Sequence, residues 1–232
     1  MNRTTMLATL REVLNDASTS FNSWSDARLL MYLSEGQDKF CEETGYFRDA
    51  SSFTLTLESG TATYAVPSRI IELIGIYNGT KPLTKLVTNG VYGVDEPVTE
   101  FDFSSSVPGM PTHWQTEVET GLINLYPTPG DDQDGESLSL RVWRYSLYDL
   151  AGDGPTEDIP AEPEIPARFH GAPIEWAAYR ALMHHDEETQ DPVKAAEHLN
   201  AFMKVYVADG RMAFNRAHNV EVRFVPNSAY RA

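Results

Sequence analysis

The chain of 232 residues holds a single cysteine, Cys41, which excludes an intramolecular disulfide as a source of stability. Long apolar runs are missing as well: no stretch approaches the roughly 20 apolar residues that a membrane-spanning helix requires. The segment Met1 to Asp16 carries charges where a secretion signal needs an unbroken apolar block, so synthesis and use in the cytosol, or in an assembly built there, are expected. Basic residues are scarce, 18 Lys and Arg against 34 Asp and Glu, for a formal charge of −16. A free-standing protein that grips nucleic acid by phosphate attraction is therefore disfavoured. An acidic surface suits a pore through which DNA slides without sticking, and equally suits plain solubility.

Catalytic signatures are lacking too. The sequence has no Gly-x-Ser-x-Gly elbow, no phosphate-binding Gly-x-x-x-x-Gly-Lys and no dinucleotide Gly-x-Gly-x-x-Gly. The cluster His184-His185-Asp186-Glu187-Glu188, with His198 beyond it, invites a metal reading. Adjacent helical residues point about a quarter-turn apart, however, and neither HExxH nor paired-cysteine spacing is present. A solvated helix end, with imidazoles beside the negative pole of the dipole, explains the cluster better. The loop Gly130 to Gly135 resembles a calcium loop in its interior, but the first ligand position falls on Gly130 and the last on Arg141. An acidic turn between strands is expected there. The aromatics Trp114, Tyr126, Trp143, Tyr145 and Tyr148 are read as core and cross-strand residues rather than a sugar platform. No catalytic residue, metal or cofactor is assigned, and the chain is not read as an enzyme.

What is present is a pair of periodic segments between Ile159 and Arg216. Ile174, Ala177, Ala178, Ala181 and Leu182, and then Ala195, Leu199, Phe202, Met203 and Tyr206, recur three and four apart, the period of an amphipathic helix. Asp191 is placed to cap the second helix, with Pro192 at its first position. Helical through to Arg216, that segment is about 35–40 Å long at 1.5 Å per residue. At the other end of the chain, Thr4 to Leu14 predicts a short helix. Ser23 followed by Asp26 has capping-box spacing for a longer one through Thr44, with Gly45 as its stop and Cys41 in its buried stripe.

Between these ends the period changes to two. Phe53 to Leu57 and Thr61 to Val66, joined at Ser59-Gly60, predict a β-hairpin. Further strands are expected at Ile70 to Tyr77, Lys81 to Val87, His113 to Val118, Gly121 to Tyr126 and Leu138 to Tyr145, with Thr88 to Val107 as a long loop. The fold class is α+β: a four-helix bundle from the two chain ends with an inserted antiparallel β-domain. The divisions are 1–47 for the first helices, 48–150 for the β-domain, 151–165 for a linker, 166–217 for the second helix pair and 218–232 for an extended arm. In that arm Val220, Val222 and Phe224 alternate with Glu221 and Arg223.

The order of these parts resembles the head-to-tail adaptor, or connector, proteins of tailed bacteriophages. The likeness is carried by Trp24 with Leu29-Leu30, Tyr64-Ala65-Val66-Pro67 before Ile71 to Tyr77, Gly109-Met110-Pro111 with Trp114, Leu125-Tyr126-Pro127-Thr128-Pro129, and Ile165-Pro166 followed by Phe169-His170. It implies a virion protein that forms a ring, usually of twelve copies, under the portal protein at the head-tail junction. Such a ring extends the DNA channel for genome ejection and seats tail or nozzle proteins. Double-stranded DNA would pass without sequence-specific binding, and no membrane is involved. Val222, Phe224, Val225 and Tyr230 are the candidate contacts with the portal or a neighbouring copy. Another virion component, a stopper or tail-tube closure, is the alternative; a β-sandwich carbohydrate-binding module or hydrolase is a more distant one.

Overall fold

The computed structural model describes residues 1–16, 23–86, 107–117, 121–151, 162–184 and 190–217. The chain divides into two compact units, Met1–Phe47 with Tyr145–Ala232, and Arg48–Arg144. The first is helical and the second is built of strands, so the chain is mixed α+β.

In the helical unit, α1 spans Arg3–Val13 and α2 spans Asp26–Thr44. The Ser25 side chain accepts from the Arg28 amide at the start of α2, and Gly45, at φ 60°, ends it. The connection between the two helices is held by Arg11, whose guanidinium donates to Asp16, to the Trp24 carbonyl and to Asp26. Asp16 in turn accepts from the Ser23 amide at 2.7 Å. After a 3-10 turn at Ala167–Phe169, α3 runs over Gly171–Leu182. Met6 and Leu10 of α1, Leu29, Leu30 and Leu33 of α2, and Ile174, Ala177, Ala178 and Ala181 of α3 form one buried cluster, which Trp24 and Leu150 complete.

The alanines of α3 and Gly36 of α2 let the two helix backbones approach closely. A Cβ on Gly36 would lie 2.8 Å from the Pro173 Cα. The last helical stretch packs elsewhere: Phe202 meets Trp176 at 5.2 Å between ring centroids, and His198 meets Glu175 at 2.7 Å. The apolar cluster named above draws on α1, α2 and α3, and the terminal helix adds its own contacts through Phe202 and His198.

The strand unit contains two sheets. One has the order β1 (Phe47–Asp49), β9 (Ser137–Arg144), β4 (Ile70–Asn78), β5 (Lys81–Pro82), with β2 (Thr54–Thr56) also on β9. The other has the order β3 (Thr63–Ala65), β8 (Leu122–Tyr126), β7 (His113–Glu117), β6 (Thr84–Lys85). β9 pairs antiparallel with β2 and β4, β4 with β5, and β8 with β3 and β7, whereas β6 and β7 are parallel. Alternation delivers Leu138, Leu140 and Val142 of β9 to one face, where they meet Leu73, Ile76, Trp114, Ile123 and Leu125 in a core common to both sheets.

Two local expectations fail for one reason, that the chain changes sheets. β2 and β3 do not form a hairpin: Leu55 pairs with Leu138, while Tyr64 pairs with Ile123 in the other sheet. The Ser59-Gly60 turn is a crossover, and its Ser59 amide and hydroxyl donate to Asp134 and Asp131. Likewise Lys81–Lys85 is not one strand but two short ones either side of buried Leu83, whose amide bonds Ile76 while that of Thr84 bonds Thr112. Turn chemistry identifies where a chain bends, not which sheet receives it. The expected loop Thr88 to Val107 lies, but for Val107, outside the described residues.

Asp49 and Arg144 form an ion pair at 2.8 Å with both side chains only 9% exposed. Burial by itself raises the Asp49 carboxyl, but hydrogen bonds from Ser52, Ser51 and Arg144 outweigh it and hold the group well below the usual carboxylate range. Replacing Arg144 with Met strands a buried carboxylate and is expected to cost about 3–5 kcal/mol. The Asp49→Asn/Arg144→Met double variant should lose much less. Urea unfolding followed by the fluorescence of Trp114 and Trp143 measures both.

Candidate interaction surface on the terminal helix

The terminal helix begins with α4 at Pro192–Ala201, passes through a π-helical segment at Phe202–Val207 and ends as α5 at Ala208–Ala217. Asp191 caps it, accepting from the Lys194 amide at 3.1 Å, a bond that lowers the Asp191 carboxyl below its ordinary value. The expected cap, the proline at the first position and the extent to Arg216 are all present.

The π segment was not legible as such. A wide turn inserts one extra residue, so the fully buried positions Phe202 and Val207 are five apart rather than three or four. Met203, expected in the buried stripe, is 38% exposed.

Beyond the wide turn, α5 is drawn onto the end of α2. Gly210 is the point of approach: a Cβ there would lie 2.7 Å from Thr44 Cγ2 and 2.8 Å from Phe40 Cζ. Arg211 fixes the same crossing, its Nε donating to the Glu43 carbonyl at 2.6 Å and its terminal nitrogen pairing with the Glu43 carboxylate at 2.9 Å. Tyr206 packs its ring against Gly171 at the start of α3. Burial, and then the Glu175 carboxylate, push its hydroxyl above the ordinary tyrosine range.

One face of this helix remains open. A groove of about 640 Å³ is lined by Val205, Tyr206, Asp209, Met212, Ala213, Arg216 and Ala217 on the helix and by Arg168 and Phe169 across from it. Val205 and Met212 are about half exposed, at 51% and 49%. The opposite wall is rigid. Phe169 is buried against Phe40 and Tyr46, with ring centroids 5.0 and 5.6 Å away, and the Arg168 guanidinium stacks on its outer side at 4.6 Å. His170, 2% exposed, anchors that wall: its Nε2 contacts the Ile165 carbonyl at 2.8 Å and its Nδ1 the Met1 amino group at 2.5 Å. Burial lowers the His170 pKa from its ordinary value.

The residues singled out from sequence are distributed as follows. Val222, Phe224, Val225 and Tyr230 lie outside the described residues, as do His185 to Glu188. His184 contacts Arg28 and His198 contacts Glu175, and the described residues contain no group of three or more potential metal ligands. The calcium-like loop is a 3-10 turn at Asp131–Gln133, with Asp131 and Asp134 engaged by Ser59. Trp114 is core, and Trp114 and Tyr126 belong to a different sheet from Trp143, while Tyr145 and Tyr148 belong to the helical unit. Cys41 is fully buried. No described helix is long and apolar enough to cross a membrane.

The sequence model of one protein family, described as "SU10 adaptor protein", matches residues 1–220. No curated protein matches the chain.

Two outcomes follow from this geometry. Gly210→Ala drives a methyl group into Phe40 and Thr44 and is expected to cost about 1–3 kcal/mol in urea unfolding. The double variant with Phe40→Leu should lose less than the sum of the two singles, since the smaller side chain yields the space. Because His170 is held neutral by burial, the unfolded chain binds its proton more readily than the folded one. Stability is therefore full above the ordinary histidine pKa of about 6.5 and declines as pH falls from there toward the lowered folded value. A melting-temperature series from pH 8 to 5 should show that decline, and His170→Gln should flatten it.

Proposed function

Since the chain belongs to the SU10 adaptor protein family, a family of phage head-to-tail adaptors, we propose that it is a structural protein of the virion that joins head to tail as a ring beneath the portal. The observation that carries this reading is the family match over residues 1–220, which takes in the helices of both chain ends and all the strands between them. The ring is of about twelve copies and is made by one repeated contact between two different patches, closing because the rotation closes. The helical unit faces the portal, and the strand unit receives the tail or nozzle proteins.

Double-stranded DNA passes along the channel of this ring without being held. The charge of −16 supports that role, since an acidic wall repels phosphate. A lumen lined mainly with Lys and Arg in the assembled ring would argue against it. The arm after Ala217 supplies the contact with the portal or a neighbouring copy through Val222, Phe224, Val225 and Tyr230. In this role the protein has structural work only, and its carboxylates serve turns, caps and ion pairs rather than catalysis.

Electron microscopy of the protein mixed with portal rings of the same phage is expected to show a second ring beneath the first. Removal of residues 218–232 is expected to abolish that attachment while leaving the folded chain intact by circular dichroism. Absence of a second ring with the full-length chain would reject the head-to-tail reading.

A further inference from the structure

The groove beside α5 ends at Ala217, the residue from which the arm departs, and this continuity limits what can fill it. From Val205 to Ala217 the helix advances about 18 Å at 1.5 Å per residue. Six extended residues cover about 20 Å at 3.3 Å each. After a reversal at His218-Asn219, the six residues Val220 to Val225 match the groove in length, and Pro226 follows them.

The chemistry of the two partners also corresponds in order. A strand running back along the helix passes about 2.2 helical residues for each of its own, from the ratio of those two rises. Val220, Val222 and Phe224 then share the face turned to the groove, with Val222 opposite Met212 and Phe224 opposite Tyr206 and Phe169. Glu221 comes beside Arg216, and Arg223 comes beside Asp209, so both rim charges of the helix meet the opposite sign. Running the same strand in the reverse direction pairs neither.

We propose that in the free chain the segment Val220 to Val225 folds back into the groove of its own molecule, covering Val205, Tyr206 and Met212. The inference concerns the protein before any assembly and does not rest on the adaptor reading. It adds to that reading one consequence: a copy whose Val222 and Phe224 are seated at home presents neither to a portal.

Methionine oxidation tests the proposal in the full-length protein, because covered thioethers are protected from peroxide. Met212 is to be compared with Met31, which is 48% exposed on α2 and is not part of the groove. Mass spectrometry after brief hydrogen peroxide treatment should find Met212 oxidised severalfold more slowly than Met31. Deletion of residues 218–232, or Phe224→Asp, should bring Met212 to the rate of Met31 while leaving Met31 unchanged. Arg216→Glu and Glu221→Arg should each expose Met212, and the two together should restore its protection. The protection should be the same across a hundredfold dilution. Equal oxidation of Met212 in the full-length and shortened chains would overturn the proposal. Protection that disappears on dilution would also overturn it, and would assign the groove to a second copy instead.

Discussion

The close approach of α2 and α3 at Gly36 is the constraint on which the helical unit depends. With a Cβ at that position excluded by the Pro173 backbone, the two helices come near enough for Ala177, Ala178 and Ala181 to be fully buried between larger neighbours. Small residues leave few side-chain atoms to fill space, so the backbones must close the gap themselves. That places Leu29, Leu30 and Leu33 against Ile174 and allows α1 to lay Met6 and Leu10 over the same seam. Trp176 and Glu175 of the same helix meet Phe202 and His198 of the terminal helix. A larger residue at position 36 would push on both sets of contacts at once.

The terminal helix answers that arrangement with a change of pitch. It brings Phe202 onto Trp176 and Gly210 onto the end of α2 from either side of its π segment. That segment adds one residue to the turn, at the expense of regular hydrogen bonding over a single turn. Val205 and Met212 on this helix stay half exposed and line the groove with Phe169. The strand unit solves a similar problem differently. There the chain moves between two sheets at Ser59-Gly60 and again at Leu83, and one core seals both.

Much of this was legible in the residues. The start of the terminal helix and the stop of α2 followed from Asp191, Pro192 and Gly45, because capping groups act on their own few neighbours, whereas the cap of α2 is Ser25 rather than the expected Ser23, whose amide bonds Asp16. Leu138, Leu140 and Val142 declared a half-buried strand, and the burial of Cys41 followed from its stripe. The groove was not legible, since it depends on a wide turn in one helix facing a 3-10 turn more than thirty residues earlier.

The sequence alone therefore determined the main helices, the strand character of the middle of the chain, and the exclusion of an intramolecular disulfide. Those properties are set by periodicity, caps and cysteine count, all of which act locally or by simple addition. Which strands pair, which face of α3 receives the last helix, and where an apolar surface stays open were decided only in the tertiary structure. Each of those depends on how much space remains between side chains distant in sequence, and volume is a property of the packed whole.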